Sequence, residues 1–591
     1  MLGTYAAVLA VCAAALAIGQ AAIALCGQRR WSWLSPPLGL ALLCAICWGT
    51  VRLPGHGTIS ALSVIALVLA AVLFLRGRVE DAGEALRIGA PVAVLSLLAA
   101  SLPFLAEGHF GILGTSLNPD MSQHLLTAAR LAHGEASQLL RQGYPLGPHS
   151  IVVALDKGLG VGLVGGFTGL TVAVAVLTPL AALAAFADLP PLRRTIGALL
   201  VGIPYLVASY FAQGDFKETM QALFVLAFAL CLREGTINPT WRASPLRFVP
   251  PALLAIGSVY TYSFPGLAWL AASAAIWAMV ELARGKSQRA APTTGPEASG
   301  FGPSPLRALT LALVAFAVLA APEVGRMLDF RRFETFAPKG PGLGNLFGQI
   351  SPFEALGIWP SGDFRLAPGA GAMPALGYYL GAAFAAILLA YGLALCWRRR
   401  QTAIVSGLTA CVLAYAAARL GGTPYTAAKA IEIAAPLAAL TILLPLLRRP
   451  VTSLYVLAAG ACSLLALANT PVGPSTYTPA LADLRPLLAS GSTLVLAPHG
   501  LLAEQHGVPY LAWELRGGRV CIEAGSEAGS APPPGVRFVV AEGPPARPPF
   551  PRLRLRRVVS PYVLWERVGP VRGRSPCPLI AVRQARQGAP R

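Results

Sequence analysis

Three polar stretches in an otherwise apolar chain hold residue types that can do chemistry. The first reads Leu117-Asn118-Pro119-Asp120-Met121-Ser122-Gln123-His124, a carboxylate followed one helical turn later by an imidazole. These are the groups of general acid–base catalysis. Asn118-Pro119 initiates a turn and Met121 onward reads as a helix start, so Asp120 falls where the macrodipole favours the ionised form. Simple helix capping is the alternative reading. The second stretch, Tyr210 to Thr219, gathers Asp215, Lys217 and Glu218 at a tight turn. Lys217 can hold a phosphate as a point charge, or it is an interfacial lysine paired with Glu218 or Asp215. In the third, Lys429 and Glu432 lie three apart on one helical face, as a self-neutralising pair or as a substrate contact.

The elements that must position these groups are membrane spans. The chain has 591 residues, 55% of them hydrophobic and only 12% charged, well below the charged share of a soluble domain. Apolar runs of bilayer-crossing length fall near 4–26, 36–52, 57–75 and 88–105, before a long polar loop at 106–149. That loop also carries His109, His133, His149, Arg130 and Arg141. Six further runs lie near 161–186, 195–212, 217–232, 248–263, 265–283 and 306–321. A second long polar segment, 322–374, holds Glu323, Arg326, Asp329, Arg331, Arg332, Glu334, Lys339, Asn345, Trp359, Asp363 and Arg365. Its mixed charge with Gly and Pro suits a loop that folds over a site. Runs near 375–395, 402–418, 425–446 and 451–469 complete about fourteen spans.

The net charge of +20 reports topology. Arg29-Arg30, Arg76 with Arg78, Arg193-Arg194, Arg233 with Arg242, Arg284 with Lys286 and Arg289, Arg398 to Arg400, and Arg448-Arg449 all fall on one side if every run is a span. That side is cytoplasmic, which puts both polar segments, both termini, and the turn Tyr260-Thr261-Tyr262-Ser263-Phe264-Pro265-Gly266 outside. Tyr262 then belongs to an aromatic belt. No basic stripe interleaved with aromatics argues for nucleic acid, and no GxxxxGK[ST] or strand-associated GxGxxG is present.

Beyond about residue 470 short strand patterns at 492–497, 519–522, 537–540 and 562–565, with a helix at 479–488, predict a small extracytoplasmic α/β domain. Its cysteines, Cys521 and Cys577, form either a disulfide or two free thiols. Cys44 and Cys47 have CxxC spacing but lie mid-span and read as packing residues. Arg552, Arg554, Arg556, Arg557, Arg572 and Arg574 form an arginine-rich tail facing solvent or anionic headgroups.

This layout resembles the GT-C superfamily of membrane glycosyltransferases, which use polyprenyl-phosphate-linked sugars. Asp120 with His124 stands where members carry the acid of a first long outside loop. Tyr210 to Thr219, opening the run at 217–232, resembles the point where they place a basic residue near the lipid phosphate. The resemblance covers 88–470 as topology, with 1–87 as extra spans and 471–591 as an appended domain. It implies an α-helical polytopic fold and transfer of a sugar to a glycan, lipid or protein acceptor by direct displacement. Asp120 would act as general base, and Lys217, with Arg326 or Lys429 as alternates, would hold the departing phosphate; Glu218, Glu432 and Tyr262 join the substrate-binding set. With no Asp-x-Asp or Asp-Glu pair in the first loop, no metal ligands are assigned and a divalent cation stays an open alternative. Competing expectations are a transporter or flippase using Lys429 and Glu432 as its internal site, and a non-catalytic envelope assembly protein.

Overall fold

The computed structural model describes residues 2–115, 117–118, 120–289, 305–333, 342–371, 373–473, 479–497, 507–516, 518–524, 531–573 and 577. The chain divides into two compact units, one formed by Met1–His109 with Ala128–Thr470 and the other by Phe110–Thr127 with Pro471–Arg591.

The first unit is helical. Its elements are α1 (Leu2–Leu25), α2 (Ser35–Val51), α3 (His56–Leu75), α4 (Ala82–Ala100) and α5 (Leu102–Glu107), then α6 (Asp120–Leu131), which starts in the other unit, α7 (Gln138–Arg141) and α8 (Gly147–Leu159). There follow α9 (Gly162–Ala182), α10 (Pro191–Gly202), α11 (Tyr205–Ala212), α12 (Phe216–Ile237), α13 (Pro239–Ala243), α14 (Val249–Arg289), α15 (Pro305–Ala320) and α16 (Val324–Phe330). The series closes with α17 (Ala375–Arg398), α18 (Thr402–Gly421), α19 (Pro424–Leu446) and α20 (Val451–Ala468). Among the described residues eleven helices are long and apolar enough to cross a bilayer, and the bent pair α10 and α11 makes a twelfth if it is one span. α9, α12 and α19 are almost wholly buried, whereas α3, α4, α15 and α17 leave leucines such as Leu69, Leu73, Leu98, Leu313 and Leu380 exposed. Bare apolar flanks around a packed centre are what lipid as a solvent allows. The protein is a multi-pass helical membrane protein.

The difference from fourteen apolar runs has local causes. The run at 36–52 folds as α2, whose 17 residues fall short of a full span. Close packing explains its burial: a Cβ on Gly19 would collide with the Ser35 carbonyl, and one on Gly39 with that of Ala15, so α1 and α2 meet backbone to backbone. The runs at 248–263 and 265–283 both lie in α14, which breaks at Ser263 with φ 61° and ψ −155°. Gln221 shows how sharp the break is. Its Oε1 accepts from Ser258 Oγ at 2.7 Å and its Nε2 donates to the Gly266 carbonyl at 3.0 Å, although a straight helix would hold those positions about 12 Å apart. The chain therefore turns back at Ser263-Phe264-Pro265.

The bundle has two polar ends. At one, Thr240 bonds Gln28, Ser244 bonds the Cys26 carbonyl, Arg233 bonds Gln401 at 2.7 Å, Thr402 bonds Glu281 at 2.6 Å, and Arg448 bonds the Asp188 carbonyl. At the other, Lys429 meets Glu218, Tyr260 bonds the Leu319 carbonyl and Arg326 bonds the Tyr144 carbonyl. Helical structure runs on past the apolar run at 306–321 to Phe330, so Glu323 and Arg326 sit on a short 3-10 turn and α16 rather than in an open loop. Glu334 and Lys339 lie outside the described residues, as does most of the segment 285–305.

The second unit is built on a five-stranded sheet of order β2-β1-β3-β5-β4, with β1 (Ser492–Ala497), β2 (Arg519–Ala524), β3 (Phe538–Glu542), β4 (Leu553–Val559) and β5 (Tyr562–Arg567). β1 pairs with β2 and β3 in parallel; β5 pairs with β3 and β4 antiparallel. α21 (Arg485–Leu488) and α22 (Gly507–Glu514) contribute Leu488, Leu511 and Ala512 to the core on Val495, Val540 and Leu564, with Leu126 packed against it. Phe110–Thr127 joins this unit through a bridge from Leu113 to Val472 and through Gly473 N bonding the Ile112 carbonyl at 2.7 Å. Cys521 and Cys577 form a disulfide. Arg554, Arg556 and Arg557 are not a tail: they belong to β4, an edge strand whose exposed arginines blunt edge-to-edge pairing, and Arg574 lies outside the described residues.

Candidate functional site

In the helical unit the amino-terminal ends of α12 and α19 meet, and they bring Lys217, Glu218, Lys429 and Glu432 to one end of the bundle. Lys429 Nζ lies 2.8 Å from Glu218 Oε1 and 4.2 Å from the centre of the Tyr425 ring. Its ion-pair partner is thus on another helix, and the sequence pairing of Lys429 with Glu432 gives way to it. An i,i+3 spacing permits a pair; the shorter reach across to α12 wins because Glu218 is itself buried and needs a counter-charge.

Lys217 turns the other way from the same helical turn. Its ammonium stacks on the Tyr144 ring at 4.2 Å and hydrogen-bonds the Tyr144 hydroxyl. Tyr144 is in turn fixed from behind, since Arg326 Nη2 donates to its carbonyl at 2.5 Å and Nη1 to the Leu140 carbonyl at 3.3 Å. The same guanidinium pairs with Glu323 at 3.1 Å and covers the Trp48 ring, whose Nε1 donates to Glu323 at 2.5 Å. Arg326 therefore sets the Gly143–Tyr144 turn in place, which in turn sets Lys217. His149 is fully buried beside this group, edge-on to Tyr144, Phe167 and Phe216. Sequence reasoning missed Tyr144; the signal was the turn-rich Gly143-Tyr144-Pro145 close to His149.

The segment at 342–371 packs over these helix ends. Gly344 leaves no room for a Cβ beside Tyr425, Tyr425 N bonds the Gly342 carbonyl, and Asn345 donates to Gln213. Arg365 holds Asp363 at 2.7 Å and covers Phe347, while Phe364 packs on Tyr210. Burial pushes the Glu354 carboxyl in this segment well above the usual carboxylate range, against the Ser351 backbone bond that favours its charge. The buried Glu354 suits a cover that seats on apolar helices rather than on water. Tyr262 lies one residue before the break in α14, half-buried and edge-on to Trp269.

Glu432 stands apart within this group. It is fully buried, and among the described residues neither carboxyl oxygen has a hydrogen-bond partner. A bare carboxylate in a bundle core costs several kcal/mol or so unless protonated or matched by a ligand.

Asp120 and His124 belong to the second unit. Asp120 opens α6 with an exposed side chain, and its N–H donates to Asn118 Oδ1 at 3.0 Å; His124 is buried one turn later. Among the described residues no group of three or more His, Cys, Asp or Glu is arranged to hold a metal ion. Cys44 and Cys47 are buried thiols, with Cys44 3.6 Å from Thr261 Oγ1.

No family model matches this chain, and no curated protein is significantly similar to it in sequence.

Proposed function

We propose that this protein is a membrane glycosyltransferase of GT-C type that moves a sugar from a polyprenyl-phosphate donor to an acceptor outside the cytoplasm. The observation that carries the reading is the meeting of the α12 and α19 amino termini with a lysine in the opening turns of each. Two helix dipoles presenting their positive ends, together with Lys217, favour an anion at that end of the bundle, while Lys429 serves as the counter-charge of Glu218. The other polar end collects Arg29-Arg30, Arg193-Arg194, Arg233, Arg398 to Arg400 and Arg448, which supports its assignment to the cytoplasm once the reversal at Ser263 is counted. The lysines then face the outer leaflet, where a translocated lipid-linked donor presents its phosphate.

In this reaction the acceptor hydroxyl attacks the anomeric carbon, the bond from that carbon to the phosphate oxygen breaks, and polyprenyl phosphate leaves with the electron pair. A general base takes the hydroxyl proton, and Lys217 stabilises the departing phosphate. One displacement inverts the anomeric centre. Membranes holding the wild type should transfer labelled sugar from polyprenyl-phosphate donors, and Lys217→Ala should lose about a hundredfold of that rate. Full transfer by Lys217→Ala would remove the phosphate-holding group from the scheme.

One feature favours a second reading, ion-coupled transport: buried Glu432, without a hydrogen-bond partner among the described residues, is the kind of intramembrane acid that carries protons or cations. Counterflow of a labelled substrate into liposomes, abolished in Glu432→Gln while Lys217→Ala behaves as wild type, would select it.

A further inference from the structure

At one end of the sheet in the second unit, a cleft of about 780 Å³ opens beside the first residues of β1 and β2 and the last of β5. We propose that this cleft binds an acidic oligosaccharide, a sugar chain bearing carboxylate or phosphate groups.

Register assembles the charge. Arg519 pairs directly with Ser492, Arg537 N bonds the Ser492 carbonyl, and Arg567 N bonds the Arg537 carbonyl. Three arginines thus stand in one row across four adjacent strands, a row about 14 Å long at ordinary strand spacing. Arg554 joins them from β4, opposite Glu566. Four arginines against one glutamate leave the wall with a net charge of +3.

The arginines have different tasks. Arg567 is fixed into the wall by the Val536, Pro532 and Pro533 carbonyls at 3.0, 2.6 and 2.8 Å. Glu566, almost fully buried, holds Arg537 and Arg554 side by side at 3.0 and 2.8 Å, and their side chains stay 40% and 62% exposed. One carboxylate orients two guanidinium groups without neutralising both; Arg537 also gives its Nη1 to the Ser490 carbonyl at 3.2 Å, so Arg554 is the one of the pair placed to meet a second anion. Arg519 is exposed, with no ion pair among the described residues.

The rest of the lining selects for sugar. Gly491 and Gly569 leave accessible backbone that can bond hydroxyls, and none of the described lining residues is aromatic, so bases have nothing to stack on. The volume lies within the range of ligand sites, about 300–1,000 Å³. Its concave form admits a chain but not a flat bilayer surface.

The test is calorimetry on the full chain in neutral detergent, with tetragalacturonate as the probe, maltotetraose as the neutral control and no sugar donor present. Its outcome is therefore separate from that of the transferase assay. Tetragalacturonate should bind and maltotetraose should not, and Arg519→Ala should weaken binding about tenfold, the loss of one charge-assisted contact. Because Arg519 is exposed, this variant keeps the fold; an unchanged melting profile verifies that. Equal binding of the two sugars, no binding of tetragalacturonate, unchanged affinity in Arg519→Ala, or displacement by phosphatidylglycerol vesicles would each overturn the proposal.

Discussion

Glu218 in the helical unit and Glu566 in the sheet unit are both acids held by basic partners, and their surroundings make them different objects. Glu218 has Lys429 at 2.8 Å, in a bundle where the next neighbours are helices. Glu566 has two arginines, both partly in water. In the first case the partner stands in for water that cannot reach the acid; in the second, water remains available when a partner leaves. Similar ion-pair distances therefore carry unlike energies, and the surrounding medium decides which.

Removing one side of each pair separates the two cases. Lys429→Ala should cost about 3–5 kcal/mol by leaving Glu218 uncompensated, read as a fall in melting temperature in detergent, and Lys429→Ala with Glu218→Ala should regain most of it. If the single and double variants melt alike, the buried-charge account is wrong. Next in size is the covalent tie of the sheet unit. Cys577→Ser opens a disulfide with a sequence separation of 56, at about 2–4 kcal/mol. Limited proteolysis should show the sheet unit cut first while the helical unit persists. Third comes pH. The Arg554 and Arg537 hydrogen bonds hold the Glu566 carboxyl below the usual carboxylate range, against a smaller effect of burial. Its contribution is complete above the unfolded value of about 4.3 and is lost as pH falls below it toward the lower folded value. Glu566→Gln should flatten that acid limb in a melting series; an unchanged limb would assign the acid sensitivity elsewhere. The smallest effect belongs to Arg557, 3.9 Å from Asp483 with both side chains well exposed. Arg557→Ala should shift stability by less than about 0.5 kcal/mol.

The same contrast explains how much was legible in the sequence. Apolar runs gave most helix positions within a few residues, because lipid forces long stretches into one pattern. The break at Ser263-Phe264-Pro265-Gly266 was visible as turn chemistry, and four of the five strands showed as apolar runs between Gly and Pro. The fifth, Leu553–Val559, was hidden because an edge strand with Arg554, Arg556 and Arg557 reads as a charged tail. Candidate site residues were recognisable by type, since Lys217, Glu218, Lys429 and Glu432 are rare in apolar surroundings. Their partners were not: no spacing tells that Lys429 reaches across to α12, or that Arg326 acts through the Tyr144 carbonyl. Pairings between distant segments are set by helix packing, which no local pattern records. The allegiance of Phe110–Thr127 to the sheet unit is of the same kind, fixed by backbone bonds to Val472 and Gly473.

The functional reading turns on Lys217, at the α12 amino terminus, holding a lipid-linked phosphate. The direct measurement is binding of a polyprenyl phosphate to the purified protein by native mass spectrometry, in the wild type, Lys217→Ala and, as a control remote in chemistry, Arg557→Ala. The account predicts a bound lipid phosphate in the wild type and the control and its loss by about tenfold or more in Lys217→Ala. Equal occupancy in all three would contradict it and leave Glu432, with its two bare oxygens, as the group on which the function of the bundle turns.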